Sequence, residues 1–455
     1  MIEVVKPVVE PAPVVVPPQT VPTQEASENG LRARLARLPG AGILTGSALL
    51  LVSMTVVNAG NYLFNLILGR WLGPVAFADL SLMVTILLMV TLITSTFQTT
   101  AAKFAAVYSA SGDLPRLAGL RRWAGRWAWG LGVAFLLVMT VGAPFLQEFF
   151  HTQSIWPFVI LAVVMPLYLV MGIDRGLLQG QTRFGLLALS YQAEMWVRLV
   201  VALALVAMGW AVNGAVAGLS LSLVAAWLVA FRVRRGLPQL SYFEPVARKK
   251  VTLFMVPTGA ALIGQILINN SDILIVKHFF PTQAAGEYAA LALIGRVVFF
   301  ATWSVVAVMF PLVAQKYQKG EAHRHLLLLS LGLVGVVSVG IIGATVIVPE
   351  FIVGVLFGKA YLAIAPLLWL YAIATMLFAL SNVIVNYRLS LDNSVGSYLA
   401  VIGGAAQVIG LWLFHTSLRQ VVLVQIYIMT ILLIILLGWD LWLYVAQKRS
   451  QCREA

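Results

Sequence analysis

A chain of 455 residues that is 61% hydrophobic and only 10% charged, with a mean hydropathy of +0.94, lacks the polar material to cover a globular surface. A soluble domain is excluded, and the sequence reads as an all-α, polytopic membrane protein. The net charge of +13 calls for no nucleic acid, because a basic cytoplasmic face beside anionic lipid headgroups accounts for it, and the single cysteine, Cys452, excludes intramolecular disulfides and Cys-cluster metal sites.

Residues 1–30 are rich in Pro and Val with no helical period, so a disordered cytoplasmic tail is expected over 1–40. Within it, Leu31, Leu35 and Leu38 alternate with Arg32, Arg34 and Arg37 in a short basic amphipathic piece suited to the inner leaflet. The tail lacks the basic, apolar and small-residue order of a cleavable signal, which leaves the first helix as an uncleaved insertion signal. Windows of about 20 apolar residues predict helices near 43–67, 77–98, 127–147, 156–173, 186–208, 212–231, 253–276, 288–312, 326–348, 362–386, 396–414 and 421–445. Twelve spans put both termini on one side. With both inside, the inner segments hold 24 of the 30 Lys and Arg and the outer loops hold four: Arg70, Lys277, Lys359 and Arg419. Positive loops face the cytoplasm, so this sixfold excess predicts an N-in, C-in topology.

At a fixed offset of 208 residues, Asn61 falls on Asn269, Leu66 on Leu274, Asp79 on Glu287, Gly112 on Gly320 and Asp113 on Glu321. The polar matches and the helix spacing predict a duplicated, pseudo-symmetric pair of six-helix bundles. The expected organisation is a tail (1–40), a first half (41–235), a cytoplasmic linker (236–251), a second half (252–446) and a short tail (447–455). Small-residue faces at Gly172, Gly176 and Gly180 and at Gly214 and Gly218 predict close helix packing.

The stretch Asn269–Pro311 holds two apolar runs that carry Asp272, Glu287 and Arg296, joined by a link with Pro281 and Gly286. Asp272 followed by ILIVKHFF, then Ala285-Gly286-x-Tyr288-x-x-Leu291 and Phe310-Pro311, resembles the seventh and eighth helices of prokaryotic polysaccharide flippases. Gly69-Arg70-Trp71-Leu72-Gly73-Pro74 and Gly180-Gln181-x-x-Phe184 resemble the same family after its first helix and between its fourth and fifth. That family belongs to the multidrug/oligosaccharidyl-lipid/polysaccharide (MOP) exporter superfamily, with the MATE transporters and the lipid II flippases. The resemblance spans about 43–445 and implies a MATE-like fold working by alternating access.

Ionisable side chains at bilayer depth are costly unless they face a bundle interior or a wet cavity, so each is a functional candidate. Arg296 has no acidic residue three or four positions away on its own helix; it meets a cavity and an anionic substrate, or it pairs with Asp272. Arg198 has Glu194 four residues before it, a local pair that also eases insertion. Asp272 is placed to bind a coupling cation, carry a proton or pair with Arg296. Asn61, Asn65, Asn269 and Asn270 bring amides that bridge helices or bond sugar hydroxyls. Asp79 and Glu287, near helix starts, complement the helix dipole. The candidate substrate contacts are therefore Arg296, Arg198, Asn61, Asn269 and Asn270, and the candidate coupling or pairing groups are Asp272, Glu287, Asp79 and Glu194.

Neither a metal nor a cofactor is expected, and no enzyme signature stands. Gly354-VLF-Gly358-Lys359-Ala360 is one residue too short for a phosphate-binding loop and lacks its Ser or Thr, and His323 and His325 read as solvated surface. The leading function is a flippase that moves a polyprenyl diphosphate-linked oligosaccharide from the cytoplasmic to the outer leaflet of the cell membrane. It would work alongside the polysaccharide polymerase and glycosyltransferases of its pathway. The alternative is a cation-coupled MATE-type multidrug exporter, which would want acidic cavity residues. A membrane glycosyltransferase or glycan polymerase would want larger outer loops.

Overall fold

In a bilayer no water is present to satisfy the backbone, so apolar runs of this length fold as helices. The computed structural model describes residues 41–238, 243–319, 321–391 and 393–454, and all their regular structure is helical. The expected disordered tail and its amphipathic piece lie outside the described residues. In chain order the α-helices are α1 (Ala41–Ala110), α2 (Leu114–Val141), α3 (Ala143–Phe150), α4 (Trp156–Gly180), α5 (Phe184–Leu205) and α6 (Ala211–Ala230). After the linker come α7 (Pro245–Phe279), α8 (Thr282–Gly295), α9 (Val297–Gln318), α10 (Arg324–Ile347), α11 (Pro349–Leu356), α12 (Leu368–Leu389), α13 (Val395–Leu413) and α14 (Leu418–Glu454).

Among the described residues nine helical stretches are long and apolar enough to cross a membrane. The twelve expected spans thus do not appear as twelve separate helices, and chain length explains much of the difference. Leu49–Ala110 has 62 residues, about 93 Å at 1.5 Å per residue, against a hydrocarbon core of about 30 Å. It breaks at Gly73, whose φ of 72° suits glycine, and Pro74 then restarts the helix. Phe184–Arg234 breaks in the same way at Gly209, with φ 90°. The expected seventh span lies within α7.

Pro245 opens a helix within the expected linker 236–251, and its first turns carry Arg248, Lys249 and Lys250. One local expectation is corrected. Arg175 and Lys277, counted as loop residues, lie inside α4 and α7 and are buried. Arg296 lies within the Thr282–Tyr317 span, at the short break where α8 ends and α9 begins.

The glycine faces are packing faces. A Cβ on Gly176 would come within 2.4 Å of the Gln98 carbonyl oxygen, and one on Gly180 within 2.4 Å of that of Ala102, so α4 lies backbone to backbone against the second part of α1. Gly218 brings α6 equally close to Ala202 of α5, and Gly264 brings α7 against Val401 of α13. The packing pairs run in parallel along the chain: α2 on α4 and α4 on α6, then α10 on α12 and α12 on α14. Each set is tied by a carboxylate between two arginines. Asp174 of α4, fully buried, meets Arg121 Nε at 2.8 Å and Arg234 Nη2 at 3.2 Å. Asp440 of α14 meets Arg388 Nε at 2.6 Å and Arg324 Nη2 at 3.3 Å. The acid sits on the middle helix of the first set and on the last helix of the second. Lipid-facing surface is left on helices such as α10, where Leu328, Leu329, Val336 and Val339 are exposed.

Candidate functional site

A polar space lies among α1, α4 and α5, a cavity of about 260 Å³ bordered by Asn58, Asn61, Asn65, Thr91, Gln98 and Tyr191 together with Arg175, Glu194 and Arg198. The glycines of α4 face α1, and Arg175 between them turns toward α5. Its Nε donates to Ser190 Oγ at 3.0 Å, and its Nη2 donates to the Ser190 carbonyl oxygen at 3.1 Å and to Glu194 Oε2 at 2.8 Å. Its guanidinium lies 4.0 Å from the centre of the Tyr191 ring. Arg198 donates from Nη2 to Glu194 Oε1 at 2.6 Å and from Nη1 to Asn61 Oδ1 at 2.9 Å. Its buried Nε has no hydrogen-bond partner among the described residues. Two guanidiniums therefore share one carboxylate, and the cavity wall is cationic. Amides and hydroxyls continue that wall: Gln98 donates to Tyr191 Oη at 2.9 Å, and Thr91 and Tyr168 share a hydrogen bond of 2.7 Å.

The corresponding region of α7 and α12, with α13 and α14, holds a small pocket of about 20 Å³ that has room for roughly one water. Arg296 Nη2 lies 3.5 Å from Asp272 Oδ1 and also donates to the Asn269 carbonyl oxygen. Asp272 Oδ2 accepts from Tyr288 at 3.0 Å and from Tyr371 at 2.8 Å, and Gln425 donates to Tyr288 Oη at 2.6 Å. Gly295 makes this possible, since a Cβ there would meet the Tyr371 ring at 2.1 Å. One cation faces one anion, so the pocket is neutral. The side-chain amides of Asn269 and Asn270 donate to carbonyls four residues back, at 2.8 and 3.2 Å.

A third charged group joins the two halves of the chain at the ends expected to face outward. Lys277 Nζ of α7 lies 2.7 Å from Asp79 Oδ1 of α1, off the hydrogen-bond axis, with both side chains at most 3% exposed. The other Asp79 oxygen accepts from the Gln153 amide at 3.1 Å. Asp79 thus lies five residues past Pro74, near the start of the second part of α1, and is an ion-pair partner there. Buried Glu287 accepts from Gln283 one turn earlier, at 3.1 Å. Around this pair the two sequence motifs meet: a Cβ on Gly286 would lie 1.8 Å from the Pro74 carbonyl oxygen, and Tyr361 Oη donates to that of Gly69 at 2.7 Å.

The sequence candidates thus divide among three places. Arg198, Glu194 and Asn61 share the large cavity, Arg296 and Asn269 border the small pocket with Asp272 buried behind Arg296, and Asp79 lies at the seam. Sequence reasoning missed Arg175, Tyr288, Tyr371 and Lys277. The Arg175 signal was present, because a small-residue period that runs from Gly172 through Gly180 requires the helix to continue past Arg175. Nothing local marks Tyr371, which lies 99 residues from Asp272.

The family model described as polysaccharide biosynthesis protein matches residues 43–317. The chain belongs to that family. In this polysaccharide biosynthesis protein the matched stretch takes in the large cavity, Asp272 and Arg296, and stops before Tyr371. No protein of curated function matches it by sequence. Among solved structures it is similar to an inward-facing MATE-family multidrug resistance transporter of the MOP superfamily, with 13% identity, 85% of this chain and 95% of that one covered, and a TM-score of 0.72. An outward-facing MATE-family structure gives 0.59 at 13% identity, over 90% and 97% of the chains. A lipid II flippase, MurJ, in an inward closed conformation gives 0.69 at 11% identity, over 86% and 87%. The polysaccharide biosynthesis protein is therefore a multi-pass membrane protein with the fold of MOP transporters and flippases.

Proposed function

We propose that the chain is a flippase for a polyprenyl diphosphate-linked oligosaccharide, which it carries from the cytoplasmic to the outer leaflet of the cell membrane. The observation that carries this reading is the cationic wall of the large cavity, where Arg175 and Arg198 face a single carboxylate beside the amides of Asn58, Asn61 and Asn65. Guanidiniums bind phosphate oxygens by charge-assisted, often bidentate hydrogen bonds, and amides and hydroxyls suit sugars. A MATE-type exporter of organic cations shares the fold, but this wall would repel its cargo. Membership of a polysaccharide biosynthesis family and the shared fold of a lipid II flippase support the same direction.

The two halves, 41–235 and 252–446, rock about the seam in this reading, with Arg198 and Asn61 as first contacts and Arg296, Asn269 and Asn270 as a second group. Outward movement of each negative charge against an inside-negative potential gains about 2.3 kcal/mol per 100 mV. The partners are the glycosyltransferases that build the lipid-linked glycan and the polymerase that consumes it. Depletion of the protein in cells tests the function: the lipid-linked glycan accumulates on the cytoplasmic leaflet if the reading holds, and its normal appearance on the outer leaflet overturns it.

A further inference from the structure

Glu194 is held in an unusual way for a wall residue of a binding cavity. Both its oxygens are engaged, Oε1 by Arg198 at 2.6 Å and Oε2 by Arg175 at 2.8 Å. It is also the most accessible member of the three, with its side chain 17% exposed against 5% for Arg175 and 12% for Arg198. Each arginine has a second anchor that does not involve Glu194. Arg175 is fixed by Ser190 and by the Tyr191 ring, and Arg198 by Asn61. Ser190 is fixed in turn, since its Oγ donates to the Ala226 carbonyl oxygen of α6 at 3.0 Å. If the carboxylate swings away, two guanidiniums remain in position, joined by the unpartnered Nε of Arg198. A phosphate group presents oxygens at nearly the spacing of a carboxylate and can take both positions. Asp272 offers the contrast: two tyrosines and Arg296 hold it with its side chain only 1% exposed, out of reach of a competitor.

We propose that Glu194 is a resident placeholder for the anionic group of the substrate. A phosphate-type anion entering the cavity displaces the Glu194 carboxylate from Arg175 and Arg198, and the carboxylate closes on them again when that anion leaves. No covalent bond forms or breaks. The device rests on the flippase reading and deepens it in two respects. It makes phosphate binding weaker than two free guanidiniums would allow, which permits release, and it spares the empty protein two unpaired buried cations as it returns. Glu194 is thus a specificity and release determinant rather than a substrate contact.

The test uses the purified full-length protein and inorganic pyrophosphate as the probe, with calorimetric titration of the unaltered chain and of Glu194→Gln, Glu194→Ala and Glu194→Asp. Loss of one charge-assisted competitor is expected to tighten pyrophosphate binding about tenfold or more in the Gln and Ala variants. The Asp variant, which keeps the charge but reaches one arginine at a time, should fall between and covers the case that the neutral variants do not fold. Arg198→Ala added to Glu194→Gln should remove the gain. Unchanged or weaker binding in the folded variants, or no saturable binding in any of them, overturns the proposal. Cellular glycan accumulation reads out separately: accumulation without tightening removes the placeholder alone, and tightening without accumulation supports the placeholder and overturns the flippase reading.

Discussion

Arg198 and Arg296 look alike in the sequence, each an arginine at depth, yet the structure gives them different neighbours. Arg198 borders the large cavity and reaches Asn61, with one nitrogen unpartnered. Its replacement by Ala should lower flipping by at least tenfold, the scale of one charge-assisted hydrogen bond of about 1.5–3 kcal/mol, while the protein still accumulates in the membrane. Lys should restore part of the rate, since it supplies the charge without the fork. Arg296 instead faces buried Asp272 at 3.5 Å. Removal of either partner should cost about 3–5 kcal/mol of stability, and the double variant Arg296→Ala with Asp272→Asn should recover most of it in detergent melting curves. A double variant that regains stability but not flipping would assign Arg296 to substrate contact. The depth of these groups was legible because the sequence carries so few charges within its apolar runs. The pairs Arg198–Glu194 and Arg296–Asp272 were legible too, but the further partners were not, because Arg175, Tyr288 and Tyr371 approach only through the packing of separate helices.

At the scale of elements, periodicity and charge located the helices well, and the misreadings have local causes. Arg175 and Lys277 read as loop residues because charge normally ends a span, whereas here buried carboxylates keep each inside its helix. The break at Arg296 left no trace in composition, since apolar residues flank it on both sides. The turn at Gly73-Pro74 was foreshadowed by its letters, which require a backbone geometry that most residues resist. The arginine pairs at Asp174 and Asp440 join helices far apart in sequence and could not be paired from it. Asp174→Ala leaves Arg121 and Arg234 without their shared counter-ion and should lower stability by about 3–5 kcal/mol. Thermal unfolding of the detergent-solubilised variant checks this, and an unchanged melting temperature would show that the arginines find other partners.

Across the whole molecule, the seam around Gly69–Pro74 and Gly286 is closed, with a Cβ on Gly286 falling 1.8 Å from the Pro74 carbonyl oxygen. Opening of the outer side must separate Asp79 from Lys277. Asp79→Asn leaves Lys277 buried without a counter-charge, a strain that water relieves once the outer ends part. This variant should therefore favour an outward-open form. With Cys452→Ser and Ala285→Cys as background, Ala285 being 4% exposed at the seam, an impermeant thiol reagent added from outside should label Asp79→Asn several-fold faster. Equal labelling with and without the substitution would show that the pair does not hold the seam.

Among the described residues Asp79–Lys277 is the buried ion pair that links chain before the linker to chain after it; Asp174, Glu194, Asp272 and Asp440 all find their arginines on their own side. Apart from that pair, the buried ion pairs of each side are internal to it. A fragment that neutralises most of its own deep charges carries a small electrostatic penalty when it inserts alone. Two polypeptides made by a cut within 239–242, coexpressed in one cell, should therefore each reach the membrane and reassemble into a working carrier.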